Sequence, residues 1–404
     1  MTTLTRADWE QRAQQLKIEG RAFINGEYTA AVSGATFECL SPVDGRLLAQ
    51  VASCDEADAQ RAVENARATF DSGVWSRLAP AKRKATLIRF AALLKQNVEE
   101  LALLETLDMG NPINDSLNID VPGAAQALSW NGEAIDKVYD EVAATPHDQL
   151  GLVTREPVGV VAAIVPWNSQ LFLSAVKLGP ALAAGCTVVL KASEDGPAPL
   201  LEFARLVHEA GFPPGVVNIL TGGPDAGRAL TSHPKVAHIA FTGGPETARH
   251  IVRASAENLS KTSLELGGND PAIVLADVDV ASVAERLFWG AFRNAGQTRT
   301  MTSCLRGSLV AASVFTAGLS ASAQESPSYS PAQAISGKAT YERQCVACHG
   351  EGLDDGEFGP MLRGDDFLLR WGGKSVEELF HYVTDTMPPA QPGSLTEEEY
   401  LNVV

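Results

Sequence analysis

VGVVAAIV (Val158–Val165), LFLSAVKLGPALAAG (Leu171–Gly185) and CTVVL (Cys186–Leu190) follow one another along the chain, and their reading decides the fold. The first and third are short apolar runs, and the second reads as a helix. The pattern continues with GVVNIL (Gly215–Leu220), VAHIAF (Val236–Phe241) and PAIVLA (Pro271–Ala276). PLLEFARLVHEAG (Pro199–Gly211) and ETARHIVRASAENL (Glu246–Leu259) separate them and read as helices. Buried strands alternating with helices specify an α/β architecture, a doubly wound parallel sheet. Upstream, Asn25-Gly26 inside AFINGEY (Ala22–Tyr28) predicts a tight hairpin. Helical periodicity fills EADAQRAVENARATF (Glu56–Phe70) and, more strongly, PAKRKATLIRFAALLKQNVEELALLETLD (Pro80–Asp108). Pro80 sits where a first helical turn tolerates it, and Gly110-Asn111-Pro112 ends the run.

The chain has 404 residues, enough for two or three domains. Apolar residues make up 45% and charged residues 20%, the balance of an ordinary globular protein. A net charge of −17 and a pI near 4.9 argue against general nucleic-acid binding, which needs clustered Lys and Arg. Six cysteines are too few for a disulfide scaffold of this size. Cys39, Cys54, Cys186 and Cys304 are scattered, whereas Cys345 and Cys348 stand three apart. No apolar stretch suggests a bundle of membrane spans. The polar opening MTTLTRADWEQRAQQ carries no secretory signal, so a cytoplasmic start is expected.

Thr221-Gly222-Gly223-Pro224 recurs as Thr242-Gly243-Gly244-Pro245, each after an apolar run. Two similar strand-to-helix turns account for this. A phosphate cradle at the second copy is the sharper alternative, because glycine lets a pyrophosphate approach the N–H groups of a helix start.

Near residue 300 the chain changes character. RTMTSCLRGSLVAASVFTAGLSASAQ (Arg299–Gln324) has a short basic start, an uncharged apolar centre and Ala321-Ser322-Ala323 as a small-residue cleavage site. That is the anatomy of a secretory leader beginning at Met301; a buried helix or small-residue linker is the alternative. The Ser/Pro-rich QESPSYSPAQAIS (Gln324–Ser336) reads as a mature N-terminus or linker. Three segments are therefore expected: 1–298, a leader and linker over 299–335, and 336–404.

Cys345-Val346-Ala347-Cys348-His349 is C-x-x-C-H, the attachment signature of c-type haem. Two thiols one helical turn apart form thioethers to the porphyrin, and His349 becomes an axial iron ligand. Met387, in Thr386-Met387-Pro388-Pro389, is the candidate sixth ligand, with Met361 as the competitor. His381 reads as a surface or packing histidine. From about Ser336 the chain resembles a small class I c-type cytochrome, which implies an all-α domain, covalent haem c and a redox partner protein. The resemblance gives Pro360 the role of orienting His349. A closing helix begins at SLTEEEYLNVV with Thr396 and Glu399 as a capping box, and most of it is expected to be missing.

Val165-Pro166-Trp167-Asn168, Lys191-Ala192-Ser193-Glu194, Phe241-Thr242-Gly243-Gly244, Leu264-Glu265-Leu266-Gly267-Gly268 and Gly296-Gln297 occur in that order. Together they resemble the NAD(P)-dependent aldehyde dehydrogenase superfamily over about residues 20–297, implying an incomplete version of its Rossmann-like fold. The resemblance places Trp167, Lys191, Glu194, Gly243 and Gly244 at the cofactor. Lys191 and Glu194 grip the adenine ribose, and the Glu194 carboxylate favours NAD over NADP. Ala248 stands where a further glycine is common. Asn168 becomes the oxyanion donor, Glu265 the general base, and Lys177 an aid to proton movement.

In that family a thiolate in G-Q-x-C attacks the aldehyde. This chain reads Gly296-Gln297-Thr298-Arg299, and a guanidinium is no nucleophile. Cys304 lies five residues on, within the leader-like run. No aldehyde turnover is expected, and GLVTREPVGVV (Gly151–Val161), which resembles the family's oligomerisation arm, is expected to lack its pairing strand. The leading reading is a composite: an aldehyde dehydrogenase cofactor-binding portion, cytoplasmic, joined to an exported, periplasmic cytochrome precursor. The alternatives are a genuine redox fusion passing electrons to haem and a non-catalytic NAD-binding protein.

Overall fold

The computed structural model describes residues 4–268, 274, 278–297, 331–353, 362, 367, 371, 376–388 and 394–403. The chain divides into two compact units, 1–314 and 315–404. In the first, the strands are β1 (Ala22–Ile24), β2 (Glu27–Thr29), β3 (Thr36–Leu40), β4 (Leu47–Ala52), β5 (Glu141–Ala143) and β6 (Gly151–Val153). They continue with β7 (Val160–Ile164), β8 (Thr187–Lys191), β9 (Val217–Leu220), β10 (Val236–Gly243) and β11 (Lys261–Leu266).

Seven strands form one sheet in the order β11-β10-β7-β8-β9-β1-β2. From β11 to β9 every pairing is parallel, whereas β1 is antiparallel to β9 and β2 to β1. The sheet is therefore mixed, not wholly parallel. The expected hairpin forms, with Asn25 at φ 57° and Gly26 at φ 81°, the left-handed pair that a two-residue turn requires. Its seat on the sheet edge, Phe23 opposite Ile219, joins residues too distant in sequence for local patterning to reveal.

Successive residues of β7 serve opposite cores, as a strand's two-residue period dictates. Val161, Ala163 and Val165 join Phe90, Leu128, Leu178 and Phe203 on one face. Val160, Ala162 and Ile164 join Ala62, Leu230, Ile239 and Ile251 on the other. Helices Pro80–Gln96, Val121–Ala134, Gln170–Ala184 and Ala198–Ala210 supply the first core, and Glu56–Ser72, Pro224–Ser232 and Pro245–Asn258 the second.

The long run from Pro80 is two helices, Pro80–Gln96 and Val98–Met109, parted at Asn97 (φ −104°, ψ 21°). Asn97 Nδ2 donates to the Leu93 carbonyl at 2.8 Å, a side-chain bond that competes with the helical ladder. The arm-like segment also has a partner within the chain: β6 pairs antiparallel with β5, Glu141 opposite Val153.

The described residues of the second unit are helical: Pro331–Gln344, Val346–His349, Val376–Thr386 and Glu397–Val403. The capping box forms, Thr396 N–H donating to Glu399 Oε2 at 3.0 Å and Glu399 N–H to Thr396 Oγ1 at 3.3 Å. No helix among the described residues is long and apolar enough to cross a membrane. The leader-like run with Arg299, Met301 and Cys304, the PAIVLA run except Val274, and Pro360 and Met361 lie outside the described residues.

Candidate functional site

Chain order runs outward from β7 through β8 to β9, then returns to lay β10 and β11 on the far side of β7. The reversal between β7 and β10 is a topological switch point, where open α/β sheets leave a crevice beyond the carboxyl ends of their strands. The quoted motifs fall at those ends. Trp167 and Asn168 follow β7, Lys191 and Glu194 close β8, Gly243 and Gly244 close β10, and Glu265 lies at the end of β11.

A cleft of about 940 Å³ opens there, and Trp167, Asn168, Lys177, Gly243, Gly244 and Glu265 all line it. Lys191 and Glu194 stand beside it as an ion pair, Nζ to Oε2 at 3.0 Å, with the lysine side chain 8% exposed.

The two glycine-rich turns differ physically. In the first copy, a Cβ on Gly222 would meet the Cys54 backbone at 2.6 Å, and Thr221 Oγ1 donates to the Ala52 carbonyl at 2.6 Å. That turn is glycine for packing. In the second, a Cβ on Gly243 would strike the Phe241 ring at 2.4 Å, but one on Gly244 would meet nothing within 4 Å. Gly244 starts helix Pro245–Asn258 with no side-chain cap, so the helix turns its first N–H groups toward open space.

Lys177, on helix Gln170–Ala184, is 8% exposed and points into the cleft. Burial holds its pKa down to about 8, against the opposing pull of the Glu265 carboxylate. Glu265 itself is exposed.

Asn168 Nδ2 donates to the Gln297 carbonyl at 2.8 Å, and Asn294 Nδ2 donates to the Asn168 carbonyl at 2.7 Å. The turn at 293–297 is tied further by Asn294 N–H to Asp115 Oδ2 at 3.0 Å and by Gln297 Nε2 to the Met109 carbonyl at 3.0 Å. These bonds seat Gln297 in the cleft wall.

Cys186 also lines the cleft, yet it is 3% exposed and burial pushes its thiol pKa up. A thiol held protonated is no substitute for a thiolate. His238 and Ser263, which sequence reasoning missed, join the wall, His238 Nε2 and Ser263 Oγ lying 3.1 Å apart. Counting back in twos from Thr242 and Glu265 along their strands finds both.

In the second unit, Cys345 and Cys348 are free and half-buried, and His349 is 7% exposed. Cys348 and His349 N–H groups both donate to the Cys345 carbonyl, at 3.1 and 3.0 Å, closing one helical turn. Met387 follows helix Val376–Thr386, and its carbonyl accepts from Tyr400 Oη at 2.6 Å. Among the described residues no three His, Cys, Asp or Glu gather as a metal cluster. Haem iron does not require one, since its axial ligands here are one imidazole and one thioether.

Residues 28–332 match the model of the aldehyde dehydrogenase family, and residues 332–404 that of cbb3-type cytochrome C oxidase subunit III. The NADP/NAD-dependent aldehyde dehydrogenase PuuC of Escherichia coli (strain K12) is 50% identical over 294 residues, 72% of this chain and 59% of that protein. An aminoacetaldehyde dehydrogenase of Pseudomonas aeruginosa is 43% identical over 75% of this chain and 62% of its own. A crystal structure of indole-3-acetaldehyde dehydrogenase complexed with NAD+ shares 64% identity at a TM-score of 0.73, covering 74% of this chain and 61% of its own. The chain thus spans about three-fifths of the length of the relatives it matches. It belongs to the aldehyde dehydrogenase family, with a cytochrome-type segment joined behind.

Proposed function

We propose that residues 1–298 bind NAD without oxidising aldehydes, and that residues 336–404 carry covalent haem c for electron transfer to a redox partner protein. The observation supporting this most directly is the contrast inside one cleft. The dinucleotide-binding groups are assembled, while the motif that carries the family's nucleophile reads Gly296-Gln297-Thr298-Arg299.

Lys191 and Glu194 would hydrogen-bond the adenine ribose, the carboxylate accepting from a free 2′-hydroxyl and repelling a 2′-phosphate. Gly244 leaves the space a pyrophosphate needs against the uncapped helix start. NAD supplies a hydride acceptor when bound. Asn168 offers an amide donor to a developing oxyanion, Glu265 a carboxylate to activate water, and Lys177 a group to move protons. What is missing is the attacking sulfur: Arg299 stays protonated and brings no lone pair.

Cys345 and Cys348 would form the two thioethers of haem c, with His349 and Met387 as axial ligands. The leader-like run from Met301 assigns this segment to export, to the periplasm, and residues 1–298 to the cytoplasm. The chain is then a composite of two redox proteins.

Calorimetric titration of the full chain with NAD should give saturable heat, and addition of an aldehyde should give no NADH above the buffer rate. Absence of heat from folded protein refutes the binding half of the reading. Steady NADH production refutes the inactive half. Haem that co-migrates with the exported segment on a denaturing gel supports covalent attachment, and its complete release refutes it.

A further inference from the structure

We propose that the Lys177 amine is a covalent capture site for aldehydes, condensing with the carbonyl to an imine inside the cleft. Three observations support it. Lys177 opens onto a cleft whose wall includes Val158, Val161, Leu173, Val176 and Ala181, an apolar lining suited to a hydrocarbon-bearing carbonyl. Its Nζ has no ion-pair partner within 4 Å among the described residues, although the side chain is nearly buried. The one described thiol on the same wall, Cys186, is buried and protonated, which leaves the amine as the better nucleophile.

The charged groups facing Lys177 are Glu265 from β11 and His238 from β10. Glu265 favours the ammonium form, and burial outweighs it, so the amine titrates near pH 8. His238 is pushed toward its neutral form by burial, by Lys261 and by Lys177 itself, and adds little positive charge at neutral pH.

The condensation balances without an outside oxidant. The neutral amine nitrogen attacks the carbonyl carbon and forms a C–N bond, and the carbonyl oxygen takes up a proton to give a carbinolamine. The C–O bond then breaks, the oxygen leaves as water, and the nitrogen gives up its protons to yield the imine. Glu265, in the same cleft, is placed to hold and return the proton that the departing oxygen requires.

The inference rests on the reading of this cleft as an aldehyde-binding one, and the test separates the two. Full-length protein is treated with hexanal and sodium cyanoborohydride, which reduces an imine to a stable secondary amine, and the modified lysines are mapped by peptide mass spectrometry. At pH 8 half of Lys177 is free amine, against about 0.4% of an ordinary lysine of pKa ~10.4, so labelling should favour Lys177 by about a hundredfold. The labelling rate should reach half its plateau near pH 8. Lys177→Arg should lose this hexyl adduct and leave the surface lysines unchanged, with NAD titration reporting whether the variant is folded.

Labelling spread over lysines in proportion to their exposure, with Lys177 unmodified, overturns the proposal. The wild-type map decides this even if the variant does not fold. Normal NAD heat with an unmodified Lys177 overturns imine capture alone. Labelling of Lys177 without NAD heat overturns the cofactor reading alone.

Discussion

Replacing Glu194 tests the cofactor reading at one oxygen atom. Glu194 Oε2 lies 3.0 Å from Lys191 Nζ at the end of β8. In Glu194→Ala the ribose loses a charged acceptor, and a hydrogen bond to a charged group contributes about 1.5–3 kcal/mol. That range corresponds to about tenfold to a hundredfold in Kd. The Glu194 side chain is 39% exposed, so water competes for the carboxylate and the loss should lie near tenfold. The alanine variant also strands the Lys191 ammonium, so Glu194→Gln is the companion: it keeps an acceptor for the ribose and a partner for Lys191, and should lose less. The assay is calorimetric titration with NAD and NADP in parallel. Both variants should narrow the preference for NAD, since each removes the charge that repels a 2′-phosphate. An NAD affinity unchanged within about twofold, roughly 0.4 kcal/mol, in the alanine variant refutes the placement of the ribose.

Other expectations follow from the same geometry. Gly244→Ala should melt like the parent, because its φ of −71° suits any residue and the added methyl meets nothing within 4 Å, yet it should weaken NAD binding several-fold in calorimetry. Asp108 is buried, and its carboxyl pKa is raised to about 6 from 3.8, so the folded state keeps its proton to higher pH than the unfolded state. Its stability contribution is complete below pH 4 and fades as pH rises through 6, by at most about 3 kcal/mol; Asp108→Asn should flatten that part of the melting profile, and an identical pH slope refutes the assignment. Phe288, Trp289 and Phe292 are 50, 51 and 52% exposed on helix Val280–Phe292, an apolar face that should drive self-association in sedimentation and release it when all three become serine.

Much of this was legible in the sequence because the deciding signals are local. The strands from Val158 to Phe241 announced themselves as short apolar runs between helical ones, and Asn25-Gly26 named its own turn. The site residues were legible for a related reason: each quoted motif lies at the carboxyl end of a parallel strand, so a linear pattern becomes a spatial cluster once the strand order is set. What stayed hidden depends on contacts between distant segments. The hairpin's seat beside Ile219, the Asn97 break and the β5–β6 pairing arise from partners that no window of sequence contains. The same holds for Asn294, whose value comes from bonds to Asp115 and Asn168 far upstream. Between the two glycine-rich turns, identical in four letters, only packing against Cys54 or open space tells one role from the other.

The groups proposed for binding and those needed for turnover come from different stretches of chain. Lys191, Glu194 and Gly244 are positioned by β8 and β10, whose register is set by β7 between them and by two cores that close around residues 22–251. The attacking group, in contrast, is delivered by the turn at 293–297, which bonds to Asn168, Asp115 and Met109 and then hands the chain on. A sequence that departs from the family after Gln297 therefore leaves the dinucleotide-binding groups in place while removing the sulfur. The same departure bears on coupling to the haem. Electrons can pass from a reduced nicotinamide to an iron in the same polypeptide only if both lie on one side of a membrane, and an export leader between them at Arg299–Gln324 places them on opposite sides. On the proposed reading the two cofactor sites share a chain and not an electron path.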